Sequence, residues 1–174
     1  MKIHSPIKIV ITGAESTGKS ELAKNLASYY KTIWQPEFAR EYIEKLDAKY
    51  TYSDIESIAK RQINQLSSKE YFNKYIFFDT GLIITKIWFR EVFRSYPKWI
   101  NEAICNYPVD FYLVCDNDLE WEDDPVRENG DTRDYLMKEY IKEIECSKIP
   151  YSIISGKGEE RIQNAIQAIK IANL

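Results

Sequence analysis

The chain has 174 residues, 44% of them hydrophobic and 29% charged, with a formal net charge of −3, which suits one domain over residues 1–174 with a full core of its own. That balance supplies no basic field and so argues against a nucleic-acid partner. The apolar runs fall far short of a membrane span and the chain enters its first strand with no signal-peptide pattern, so a cytoplasmic protein with no membrane partner is expected.

The first element is a strand over Lys8 to Thr12, where Ile9, Val10 and Ile11 form a short apolar run. Next comes Gly13-Ala14-Glu15-Ser16-Thr17-Gly18-Lys19-Ser20, which fits the pattern G-x-x-x-x-G-K-[ST], and then a helix over Lys19 to Tyr30 with Leu22, Leu26 and Tyr29 at helical spacing. Glycines at 13 and 18 allow a backbone in which successive N–H groups curl around an anionic phosphate at the positive end of a helix. Residues 13–20 are therefore the expected phosphate cradle of an ATP or GTP site. Lys19 would bring a point charge to the β- and γ-phosphates, and the Ser20 hydroxyl is placed to hold Mg²⁺. Glu15 is at odds with an anion cradle and is expected to point outward.

A second strand, Thr32 to Gln35, leads into Pro36-Glu37-Phe38-Ala39-Arg40-Glu41. Glu37 is placed either to accept the proton of a substrate hydroxyl or to sit as a carboxylate at a helix start, and Arg40, one helical turn on, to neutralise phosphate charge. A helix from Tyr52 to about Asn73 precedes a third strand, Tyr75 to Asp79. An apolar strand that ends in Asp is the Walker B arrangement, whose carboxylate holds Mg²⁺ directly or through water.

A helix over Leu82 to Phe93 leads to a fourth strand, Phe111 to Cys115, and then to a polar segment at about 116–133 with Pro125 and Gly130 as breakers. This segment reads as a lid that carries Arg127 and Arg133 to the charge on a transferring phosphoryl group; the alternative is a solvated loop. Trp121 within it is either a ring for stacking or an apolar anchor. A helix over Thr132 to Ser147, a strand over Tyr151 to Ile154 and a last helix over Gly158 to Ala172 complete the chain. By fold analogy, the loop at Gly156 runs past the adenine and helps to bind the nucleotide. The alternation predicts an α/β protein of the P-loop NTPase fold, a parallel sheet of about five strands with helices on both faces and ligands at the carboxyl ends of the strands. Cys105, Cys115 and Cys146 are odd in number and form no C-x-x-C, so they are read as buried apolar fillers rather than disulfides or a zinc site.

Taken together, G-A-E-S-T-G-K-S at 13–20, P-E-F-A-R-E at 36–41, F-F-D-T at 77–80 and E-W-x-D-D-x-x-R ending at Arg127 resemble the ribosylnicotinamide kinase domain of NadR proteins, over nearly the whole chain. The resemblance implies an ATP- and Mg²⁺-dependent kinase of the P-loop nucleoside/nucleotide kinase group that phosphorylates the 5′-hydroxyl of nicotinamide riboside in NAD salvage. Pro36 stands where the family tends to carry an aromatic residue and Gly81 where it tends to carry an acidic one; both positions belong to the expected nucleoside pocket. The acceptor therefore stays open between a nucleoside and a nucleoside monophosphate, and an ATP-binding regulatory module is a third reading. The H-x-G-H motif of the family's adenylyltransferase domain is absent from this sequence, whose one histidine is His4.

Overall fold

The computed structural model describes residues 5–71, 73–120 and 132–174. Five parallel strands, β1 (Ile7–Thr12), β2 (Ile33–Gln35), β3 (Tyr75–Asp79), β4 (Phe111–Cys115) and β5 (Tyr151–Ile154), form one sheet in the order β2-β3-β1-β4-β5. Between and after them run α1 (Lys19–Tyr29), α2 (Phe38–Glu44), α3 (Tyr52–Ser67), α4 (Leu82–Phe93), α5 (Trp99–Asn106), α6 (Arg133–Ser147) and α7 (Glu159–Ile171). This is the α/β P-loop NTPase fold that the alternating pattern predicts. Among the described residues no helix is long and apolar enough to cross a membrane.

The period-2 geometry of the central strands divides the core in two. Ile9 and Ile11 of β1, Phe77 of β3 and Leu113 of β4 point to the face covered by α1 and α7, where they meet Leu22, Leu26, Ile166 and Ile169. Val10, Ile76, Phe78 and Val114 point to the opposite face, covered by α3, α4, α5 and α6. Both faces are dry, which is why β1, β3 and β4 read as continuous apolar runs rather than as alternating ones. Since β1 feeds α1 on one face while β3 and β4 feed α4 and α6 on the other, the chain leaves neighbouring strands in opposite directions. A crevice opens at their carboxyl ends as a result.

The helix expected from Tyr52 to about Asn73 stops at Ser67. Ser68 turns extended (φ −60°, ψ 137°), and Tyr71 folds back so that its hydroxyl donates to the Gln65 carbonyl at 2.9 Å. At the other end, Thr51 and Asp54 form a capping box, and the Tyr42 hydroxyl donates to Asp54 at 2.9 Å, which ties α2 to α3. Those bonds, that from the Thr51 hydroxyl foremost, hold the Asp54 carboxyl below the usual carboxylate range. Two helices, α2 and α5, carry no sequence expectation; they are 7 and 8 residues long, α2 with no fully buried residue and α5 with only Ile100 and Ala103, so each is too short for its periodicity to be read. Of the cysteines expected to be fillers, Cys115 is buried, whereas Cys105 and Cys146 are exposed because they lie on the outer faces of α5 and α6.

Candidate nucleotide and acceptor site

The loop after β1 is shaped by backbone constraints at its two glycines. Gly13 has φ +141°, and a Cβ there would stand 2.7 Å from the Cys115 carbonyl oxygen, closer than any real contact allows. Gly18 is left-handed (φ 74°) and starts α1 without a side-chain cap, so the first-turn N–H groups of the helix face the loop mouth, where an anion can accept from them. Within the loop the Thr17 hydroxyl donates to the Ala14 carbonyl at 2.8 Å, and the Lys19 ammonium donates to the same oxygen at 2.7 Å. Lys19 therefore lies folded over the loop, and Ser20 beside it is exposed.

Asp79 closes β3 next to Ile11 of β1 and is only 3% exposed. Its neighbourhood is visible in Cys115, whose thiol is pushed up to about 11 by burial, with Lys19 and Arg161 pulling the other way and Asp79 adding to the rise. A buried carboxylate and a hydroxyl at the mouth of the loop are hard oxygen donors, and Mg²⁺ characteristically takes one or two such protein ligands and completes its shell with phosphate and water. Ser20 and Asp79 fit that donor set.

A cavity of about 200 Å³ opens from this loop. Its polar end holds Gly13, Glu15, Lys19 and Thr80, and Glu37 and Arg40 of the β2-α2 turn and α2 line it as well. Its apolar wall comes from Tyr50, from Ile84, Ile87 and Trp88 of α4, and from Leu136 and Tyr140 of α6. The Trp88 indole donates to the Tyr50 hydroxyl at 3.2 Å, with the rings edge to face at 5.0 Å, so two rings of the wall hold each other. Burial pushes the Tyr140 phenol far up, and the carboxylates of Glu15, Glu37 and Glu91 push in the same direction. The outward Glu15 expected from the sequence is thus corrected: it is half-buried in the cavity, where the Lys19 ammonium in the same lining offsets its charge. Glu37 is the N-cap residue of α2 without a side-chain capping bond, a position that suits a carboxylate at a helix start, and it also lines the cavity. Arg40 pairs with Glu44 at 3.0 Å on the exposed side of α2.

The segment after β4 is described at both of its ends. Asn117 donates to Asp134 at 3.0 Å, and Arg133 donates twice to the Leu119 carbonyl, at 3.1 and 3.0 Å, so the two roots are laced together. Leu119 itself sits over the phosphate loop, its Cδ1 being 3.2 Å from where a Cβ on Gly18 would lie. Arg127 and Trp121 lie outside the described residues, as does the rest of 121–131. Beyond β5, Gly156 (φ +96°) donates its N–H to Asp118 at 2.6 Å.

Sequence reasoning missed Arg161, Asp118, Glu91 and the cavity's aromatic wall. One signal was present for the wall. In the α4 sequence LIITKIWF every residue but Thr85 and Lys86 is apolar, which is more than one core-facing stripe requires.

Comparison with known proteins agrees with the fold and the motifs. Residues 8–161 match the family described as "AAA domain", AAA_28. The trifunctional NAD biosynthesis/regulator protein NadR of Salmonella typhimurium is 27% identical over 145 residues, 78% of this chain and 35% of that protein. The Escherichia coli NadR is 27% identical over 131 residues, 72% of this chain and 32% of that protein, so the chain spans about a third of the length of these relatives. Among solved structures, a NadR protein in complex with NR superposes with a TM-score of 0.81 at 22% identity, covering 98% of this chain and 53% of that one. Deoxyadenosine kinase from M. mycoides superposes with a TM-score of 0.66 at 13% identity, covering 95% and 99%. With its glycine-shaped phosphate loop and a family match that runs from β1 into α7, the chain belongs to the AAA_28 family, as a NadR-like P-loop domain.

Proposed function

We propose that this chain is an ATP-dependent kinase that phosphorylates the 5′-hydroxyl of a ribonucleoside, with nicotinamide riboside as its preferred acceptor. The observation that carries the reading is the single cavity that joins Lys19 and Glu37 to the aromatic wall of Tyr50, Trp88 and Tyr140. Among the described residues Glu15 and Glu37 line it against Lys19, while Glu91 pairs with Arg90 at 3.3 Å and Arg40 with Glu44 at 3.0 Å, so its charge favours a cation over an anion. Nicotinamide riboside carries a pyridinium ring, which suits aromatic faces beside carboxylates. A nucleoside monophosphate would bring negative charge to a cavity in which Arg40, the arginine of its described lining, already pairs with Glu44.

In this mechanism the loop N–H groups and Lys19 fix the β- and γ-phosphates and stabilise charge as the γ-phosphoryl group moves. Glu37 takes the proton of the acceptor hydroxyl; the bond from the acceptor oxygen to the γ-phosphorus forms while the bond to the β–γ bridging oxygen breaks, and ADP leaves. Mg²⁺ held by Ser20 and Asp79, when bound, neutralises phosphate charge. Residues 1–174 act as one kinase domain, and the segment at about 116–133, with Arg127 and Arg133, serves as its lid. Gly156 belongs to the loop that borders the base of ATP. The test is an acceptor screen with γ-labelled ATP over nicotinamide riboside, uncharged nucleosides and nucleoside monophosphates. Nicotinamide riboside is expected to lead the uncharged nucleosides at least about tenfold in kcat/KM, a margin equal to about 1.4 kcal/mol. Transfer to monophosphates alone would replace this reading with a nucleotide kinase, and ATP binding with no acceptor at all would replace it with a regulatory module.

A further inference from the structure

Arg161, on the first turn of α7, is 4% exposed. Its guanidinium reaches three different loops: Nη1 donates to the Thr17 carbonyl at 2.9 Å, Nε donates to the Gly156 carbonyl at 2.7 Å, and Nη2 pairs with Asp118 Oδ1. The second oxygen of Asp118 accepts the Gly156 N–H at 2.6 Å, so Arg161, Asp118 and Gly156 close a ring of hydrogen bonds. These loops follow β1, β4 and β5, which are neighbours in the sheet, so a single buried cation fastens the phosphate loop, the root of the segment after β4 and the loop after β5 to one another. A planar guanidinium, with five donors in a fixed fork, reaches three separated acceptors without the rearrangement that the compact ammonium of a lysine would need.

The contact with Thr17 has a consequence for the phosphate cradle. The Thr17-Gly18 peptide is trans and planar, so its C=O and N–H point in opposite directions. With the carbonyl drawn back onto Arg161, the Gly18 N–H is turned away from Arg161. The Gly18 carbonyl, in the next peptide, is meanwhile engaged by Leu22 N at 3.0 Å as the first bond of α1, so the peptides on both sides of Gly18 are anchored. Gly156 is constrained by its own backbone, whose φ of +96° L side chains rarely adopt.

We propose that Arg161 is a positioning residue for nucleotide binding: through Thr17, Gly156 and Asp118 it presets the loops after β1, β4 and β5 in the arrangement that receives ATP. The inference rests on reading 13–20 as the nucleotide site, and it is independent of which acceptor is used. Asp118 is its surface partner, with a side chain 30% accessible, so its carboxylate can rehydrate when Arg161 is replaced.

The test is calorimetric titration of the full chain with Mg²⁺ and AMP-PNP, and separately with nicotinamide riboside, for wild type, R161M and D118N, with a thermal melt of each. R161M is expected to raise the AMP-PNP Kd tenfold or more while the nicotinamide riboside Kd stays within twofold, and D118N to raise the AMP-PNP Kd about threefold. A folded R161M with wild-type AMP-PNP affinity overturns the proposal, as does an equal loss of both ligands, which marks a merely structural residue. Should R161M fail to fold, D118N decides, and an unchanged AMP-PNP Kd there overturns it. Wild type that binds no AMP-PNP defeats the nucleotide-site reading itself, a result distinct from wild type and R161M binding it alike.

Discussion

Replacing Gly13 by alanine tests the geometry of the phosphate loop where it is most tightly determined. The new Cβ would stand 2.7 Å from the Cys115 carbonyl oxygen, 3.1 Å from the Thr17 hydroxyl and 3.2 Å from Cys115 Cβ, at a φ of +141° that L-residues rarely adopt. Neither side can retreat cheaply, because β4 is hydrogen-bonded between β1 and β5 and Cys115 is fully buried. The backbone conformation costs about 1–3 kcal/mol and the overlap in a packed interior roughly another 1–3, so the expected loss is roughly 2–6 kcal/mol. For a domain of this size that lowers Tm by roughly 4–24 °C. Gly158→Ala is the comparison: its φ is +54°, but nothing lies within 4 Å of the added carbon, so it carries the conformational cost alone. Thermal melts of both variants, with ATP titrations alongside, should show Gly13→Ala the less stable of the two and impaired in ATP binding. A Gly13→Ala protein that melts within 2 °C of wild type, by the same Tm scaling, and binds ATP normally would refute the loop geometry.

Four further substitutions probe the chemistry. Lys19→Ala should leave the fold intact and lower kcat by roughly 10²–10³, as removal of one donor to developing charge does; unchanged steady-state turnover would exclude a phosphate role for Lys19. Glu37→Gln should cost roughly 10²-fold in kcat with AMP-PNP affinity preserved; wild-type turnover would remove it as the base. Asp79→Asn should raise the Mg²⁺ concentration for half-maximal rate by roughly 10–100-fold, and superimposable Mg²⁺ titrations would take Asp79 out of the metal site. Arg133→Ala unlaces the Leu119 carbonyl and should lower kcat more than it raises the KM for ATP; a rise in the ATP KM at constant kcat would mark Arg133 as a strut of the loop after β4 and nothing more.

The central strands were legible because burial on both faces writes a short apolar run: the end residues expected for β3 and β4 coincide with those observed, as do those of the edge strand β5, and α4 was read from Leu82 to Phe93 as it stands. The phosphate loop was legible because its constraints are local, a glycine at each end and a lysine at a fixed offset. Where the structure departs from the sequence reading, the missing information is long-range. Helix α2 has only 7 residues and none of them fully buried, too short a run for its periodicity to announce it; the Tyr42–Asp54 bond ties it to the α3 cap. Glu15 looked misplaced beside a phosphate only until α6 brought Tyr140 and α4 brought Glu91 to the same cavity, where Glu15 is one of three carboxylates facing a buried phenol.

Arg161 shows the same limit most sharply. In the sequence it is a charged residue beside the stripe of Ile162, Ile166 and Ile169, and nothing local distinguishes it from a solvated arginine on an amphipathic helix. Its partners lie 144, 43 and 5 residues away, at Thr17, Asp118 and Gly156. Only the order β1-β4-β5 in the sheet brings the three loops under one guanidinium. In the structure Ala165, four residues on, is fully buried, and since positions i and i+4 share a helix face the charge in line with it must find buried acceptors. A buried arginine on the last helix of a P-loop domain is therefore a place to look for hydrogen bonds to loop carbonyls, because the loops at the carboxyl ends of a parallel sheet are where unpaired carbonyls and ligand-binding N–H groups gather together.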